Sequence, residues 1–145
     1  MSERYAWCLF CDDIRAELGG KYSLMGLWGP RFACPAYPFT LPSLGLAVYF
    51  RTAPDEDIRS LKIWLESPSD QKAEFQVNME DVPGDLPEEF PSRVTILHLR
   101  MFNFVIQAPG WMKAFVEADG ERYYAGAVYW MRQEAPGEQG ERKAL

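Results

Sequence analysis

Trp7–Gly29 reads WCLFCDDIRAELGGKYSLMGLWG, and the path of the chain through it decides the fold. Tyr5–Phe10 is dense in aromatic and apolar residues and reads as a strand. Asp12 and Asp13 follow where a helix N-cap would stand. A short carboxylate there accepts from the free N–H groups of a first turn and suits the positive end of the helix dipole. Glu17 falls in the same turn, and Gly19-Gly20 supplies the positive φ that stops it. From Lys21 the alternation Tyr22, Leu24, Gly26, Trp28 restarts a strand. The stretch therefore predicts two strands joined by one short helical turn carrying Asp12, Asp13, Arg15, Glu17 and Lys21.

Working outward, the rest of the chain keeps a strand rhythm. Pro30–Pro42 holds four prolines and suits a loop or sheet edge, with Tyr37, Phe39 and Leu41 tucked beneath. Leu44–Arg51 is apolar on both faces. In Ile58–Glu66, Leu61, Ile63 and Leu65 alternate with Lys62, Trp64 and Glu66. Ser67-Pro68-Ser69-Asp70 turns the chain into Ala73–Met79, and the two strands form a hairpin. Glu80–Arg93 is proline-rich and acidic, as a connection between two sheets would be. Val94–Gln107 is a long strand, bent near Phe102-Asn103, and its two apolar faces place it centrally. Trp111–Ala118 and Glu121–Met131 close a last hairpin on Asp119-Gly120, a preferred type I′ turn. About seven to nine strands with regular turns predict an all-β, antiparallel β-sandwich over residues 1–132, followed by a disordered tail at 133–145.

The run Cys11-Asp12-Asp13-Ile14-Arg15, Glu17, Gly19-Gly20-Lys21, Ser23-Leu24, Gly26 resembles the N-terminal signature of an uncharacterised bacterial domain family. The resemblance implies an immunoglobulin-like sandwich. It brings no activity with it.

Composition narrows the function classes. At 145 residues, with 48% hydrophobic and 14% aromatic content, the chain supplies a full core without staples. A net charge of −6 repels phosphate backbones, so nucleic acid is not an expected partner. No apolar run is long enough for a membrane span, and Met1-Ser2-Glu3-Arg4 opens no signal-peptide segment, so a cytoplasmic protein is expected. Cys8 and Cys11 form a C-x-x-C, but no long helix follows to make it a redox motif. A Cys₃His zinc site with Cys34 and His98 would need Cys8 and Cys11 on one face, and a strand puts them on opposite faces. No metal or cofactor is expected.

Catalytic motifs are absent, and the sole histidine, His98, has no nucleophile beside it in sequence. Asp12-Asp13, Asp55/Glu56/Asp57 and Asp81/Asp85 pose a calcium question that solvated loops answer equally well. The expected function is a non-enzymatic protein-interaction or assembly module. The alternatives are an enzyme using carboxylates in the end loops and a subunit that assembles only with itself. Two candidate surfaces follow. One is the charged crossing Asp12–Lys21. The other is the outer face of the final hairpin, where an unbroken type I′ register would group Trp111, Phe115, Tyr124, Val128 and Trp130. Five large apolar groups on one face call for a cover, most simply a homodimer or another protein.

Overall fold

The computed structural model describes residues 4–68, 71–81 and 90–134. Nine strands are found among them: β1 Tyr5–Ala16, β2 Tyr22–Leu27, β3 Arg31–Cys34, β4 Phe39–Thr52, β5 Leu61–Ser67, β6 Gln71–Gln76, β7 Arg93–Ile106, β8 Gly110–Ala118 and β9 Glu121–Arg132. They form two sheets, ordered β2-β1-β4-β7 and β3-β9-β8-β5-β6. All pairings are antiparallel except β3 with β9, which run parallel. The fold is a β-sandwich. Of the expected tail, Gln133 donates its N–H to the Cys34 carbonyl at 2.8 Å, and 135–145 lie outside the described residues.

The core forms where the two pleats face each other. β4 contributes Leu46, Val48 and Phe50, β5 Leu61, Ile63 and Leu65, and β8 Met112, Ala114 and Val116, all buried. One flank is closed by stacked aromatics: Phe10, Trp28, Phe32 and Trp130 lie ring against ring at 4.6–5.8 Å. Tyr37 donates its hydroxyl to the Met131 carbonyl at 2.6 Å and ties the proline-rich segment to β9. At one end of the sandwich Arg4 pairs with Glu56 at 2.8 Å and Asp119 at 3.2 Å. Asp119 also accepts the Arg59 and Ser60 N–H groups. Glu56 is thereby committed to structure rather than to a cation; Asp85 lies outside the described residues.

Three expectations need correction. First, there is no helical turn after Phe10. β1 continues to Ala16 and pairs Asp13, Ile14, Arg15 and Ala16 with Met25, Leu24, Ser23 and Tyr22. A turn of a few residues cannot offset its own nucleation cost, whereas a strand gains a ladder bond with each pair. Gly19 and Gly20, at φ 80° and 72°, turn a hairpin rather than cap a helix. Second, β7 is an edge strand, hydrogen-bonded only to β4 among the described residues. The chain leaves it through Pro109 for β8 in the other sheet, and no later strand among the described residues returns to its other side. Third, the final hairpin keeps the expected register only from its turn to Phe115. There Asp119 and Gly120 have φ 51° and 84°, as type I′ requires, and Phe115 faces Tyr124. A bulge then shifts the pairing, so that Ala114 faces Gly126 and Met112 faces Val128. The extra residue reverses the faces beyond it. Val128 and Trp130 thus belong to the core, 2% and 0% exposed.

Candidate functional site

The charged crossing is a folded-over hairpin. β1 stays in register with β4 from Tyr5 to Cys11, then bends where Asp12 meets Gly26, whose φ is 66°. Only glycine fits there, since a Cβ would run into the Asp12 carboxylate. Beyond the bend the hairpin lies across the outer surface of β4. Gly45 makes the room: a Cβ on it would stand 2.7 Å from Cys11 Sγ and 3.1 Å from Ile14. Cys11, Ile14 and Ala47 form a second small core on this outer side, with Leu24 and Tyr49 against it. The hairpin reaches β7, where Asp13 pairs with Arg100 at 2.9 Å and the Tyr22 ring meets the His98 ring edge-on at 4.3 Å. Desolvation beneath this contact lowers the His98 pKa.

The expected site residues separate accordingly. Asp12 accepts from Trp28 Nε1 at 2.9 Å, and its carbonyl accepts from Ser43 Oγ at 2.7 Å. Asp13 accepts the Ile14 N–H as well as the arginine. Both carboxylates hold the hairpin down. Arg15, Glu17 and Lys21 stand exposed and make no ion pair among the described residues. The crossing is therefore no cluster of convergent charges. The cysteines do not converge either. Cys8 faces the main core, where it nearly touches Gly126, and burial pushes its thiol up to about 12, while Cys11 lies on the outer side. Among the described residues no three His, Cys, Asp or Glu side chains are grouped to hold a metal ion.

The outer face of the five-stranded sheet carries three of its five expected members, Trp111, Phe115 and Tyr124. It is also a lattice of charges satisfied within itself. The Arg122 guanidinium sits 4.6 Å over the Trp64 ring and 5.5 Å over Phe115. It lies 3.7 Å from both Glu66 and Glu117, and Lys62 pairs with Glu74 at 3.5 Å.

The outer face of the four-stranded sheet is different, and sequence reasoning missed it. Cross-strand register groups Tyr5, Trp7 and Leu9 of β1 with Arg51, Tyr49 and Ala47 of β4, and these with Val94, Ile96 and His98 of β7. Trp7 stacks on Tyr49 at 5.2 Å with planes 4° apart, Tyr5 follows at 5.3 Å, and Arg51 lies over Tyr5. Tyr5, Leu9, Val94 and Ile96 are 40–52% exposed. No lysine or glutamate falls among these nine residues. The signal was present in LGLAVYFR and VTILHLR, apolar on both faces, but such a pattern reads as burial on both sides.

Residues 6–125 match the model of a family of unknown function, DUF6941, and the chain belongs to that family. No match is found among curated proteins. No helix among the described residues is long and apolar enough to cross a membrane.

Proposed function

We propose that the chain is a non-enzymatic protein-interaction or assembly module, cytoplasmic and of immunoglobulin-like, bacterial kind, whose contact surface is the outer face of β1, β4 and β7. One observation carries this reading: the two outer faces of the sandwich differ in composition. The five-stranded face is rich in lysine and glutamate, which interfaces disfavour, and its Trp64 and Phe115 rings are covered by Lys72 and Arg122, while Trp111 and Tyr124 stay exposed. The four-stranded face carries no lysine or glutamate and gathers Tyr5, Trp7, Tyr49 and Arg51, types enriched among interface hot spots, with Leu9, Val94 and Ile96 beside them. Three strands abreast over five residues span about 240 Å², with Ala47 buried within that area beneath the first hairpin. Enzymatic use of end-loop carboxylates has less support, since Glu56, Asp119, Asp12 and Asp13 are each committed to a hydrogen bond or ion pair.

The test is photo-crosslinking in the source cell, with a benzophenone amino acid in place of Leu9 in one experiment and of Tyr124 in another. Protein adducts are expected at position 9. Adducts at 124 alone, or at neither position, would overturn the choice of face.

A further inference from the structure

We infer that the free edge of β7 pairs antiparallel with the β7 of a second copy, joining two four-stranded sheets into one of eight strands. The inference rests on the assembly reading of this sheet and names the occupant of its edge. The first ground is the strand's own pattern. Arg93–Phe102 reads RVTILHLRMF, apolar toward both faces, which is the pattern of an interior strand, yet β7 lies at an edge. Its outward Val94 and Ile96 are exposed, and its core-side Leu97, Leu99 and Met101 are only half-buried. A strand on the free side would cover both sets.

The second ground is the lack of edge protection. Proteins blunt exposed edges with short strands, lysines, prolines or bulges. The other three edges follow that rule: β3 has 4 residues, β6 has 6 with Lys72 and Glu74 on it, and β2 has 6 with a positive-φ glycine. β7 runs 14 residues; its positive-φ residue, Asn103, lies beyond Arg93–Phe102, a ten-residue run without lysine, proline, glycine or acid whose charges are Arg93 and the Asp13-paired Arg100.

A second copy fits this edge for reasons of charge and register. The chain carries −6 overall, and Arg93–Phe102 contributes no acid of its own, so pairing two copies along it sets no carboxylate of β7 against another. On β7 Arg100 is already balanced by Asp13. Residues facing each other across an antiparallel pair share a face, so a two-fold axis passes through a residue. Through Leu97 it sets Leu97 against itself, Ile96 against His98, Thr95 against Leu99, Val94 against Arg100 and Arg93 against Met101. Every pair includes an apolar residue and none opposes like charges. About ten residues paired this way share about ten hydrogen bonds, the number a standard interface carries. Two-fold pairing of identical edges is also the commonest closed symmetry.

The test is the solution mass of the full chain by light scattering, over a dilution series, for the wild type and for V94K/I96K. Both positions point to solvent, and the lysines would face Arg100 and His98 of the second copy. The wild type is expected at twice the chain mass, and the variant at the single mass with an unchanged circular dichroism spectrum. A wild type monomeric throughout the series overturns the inference, and so does a folded variant that stays double. If the variant does not fold, a monomeric wild type still overturns the inference, a dimer whose β7 amides slow with association supports it, and a dimer whose β7 amides stay fast overturns it. A monomer that still gives adducts at position 9 removes the dimer alone, and a dimer without such adducts removes only the face reading.

Discussion

An aspartate at the bend of a strand and an aspartate at the start of a helix look the same in sequence, because both offer a short carboxylate to nearby N–H groups. Asp12 and Asp13 show the ambiguity. Asp13 accepts the N–H of the next residue, Ile14, within a strand, not the N–H two or three residues on that a helix cap would take. The deciding partners, Trp28 and Arg100, come from other strands and left no mark nearby. The Tyr22 ring that meets His98 left no sign in the sequence around either residue. Since desolvation lowers the folded pKa of His98, the neutral ring is the form the fold favours. Its contribution to stability is therefore complete above the ordinary value of 6.5 and is lost as the pH falls below it. The ring that meets it is Tyr22, and Arg100, two residues on along the same face of β7, is already paired with Asp13. Melting curves between about pH 7 and pH 5 should fall more steeply for the wild type than for His98→Asn, which has no proton to take up. Parallel slopes would show that the ring is not desolvated in the fold. The corresponding loss for Asp119 lies lower, below its ordinary 3.8, because partial desolvation of its carboxylate is outweighed by the Ser60 and Arg59 N–H groups and by Arg4.

At the scale of elements, period-two alternation found the strands, and Asp119-Gly120 fixed the last turn and the register next to it. The register was lost at the bulge, because Ala125-Gly126-Ala127 offers no contrast of size or polarity to mark the extra residue. The reason for Gly126 lies in the facing sheet, where Cys8 Sγ would stand 2.9 Å from a Cβ on it. The fold-over of the first hairpin depends in the same way on Gly45, a glycine that reads in sequence as an ordinary strand weakness. Gly45→Val should overpack the space above β4 and cost about 1–3 kcal/mol. The hairpin would lift as a unit, so Cys11, fully buried in the wild type, should react with a thiol reagent in the folded variant. A variant as stable as the wild type, with Cys11 still protected, would mean that the hairpin does not bear on Gly45.

At the scale of the whole molecule, the sandwich was legible because each half-buried strand announces its inner face. What the sequence could not convey was which apolar surplus is absorbed internally. The final hairpin has a surplus on paper, but the bulge turns Val128 and Trp130 into the core and Arg122 occupies Trp64 and Phe115. On β1, β4 and β7 the first hairpin covers Ala47 and Arg51 covers Tyr5, but Leu9, Val94 and Ile96 stay exposed, and β7 has the sequence of an interior strand at an edge position among the described residues. Amide hydrogen exchange on the full chain at high protein concentration tests this most directly. If β7 is interior in the working molecule, amides across Arg93–Phe102 should exchange as slowly as those of β4 and become faster on dilution. If the alternate amides of β7 exchange as quickly at every concentration as those of the β2 and β6 edges, the strand is a true edge and the association surface lies elsewhere.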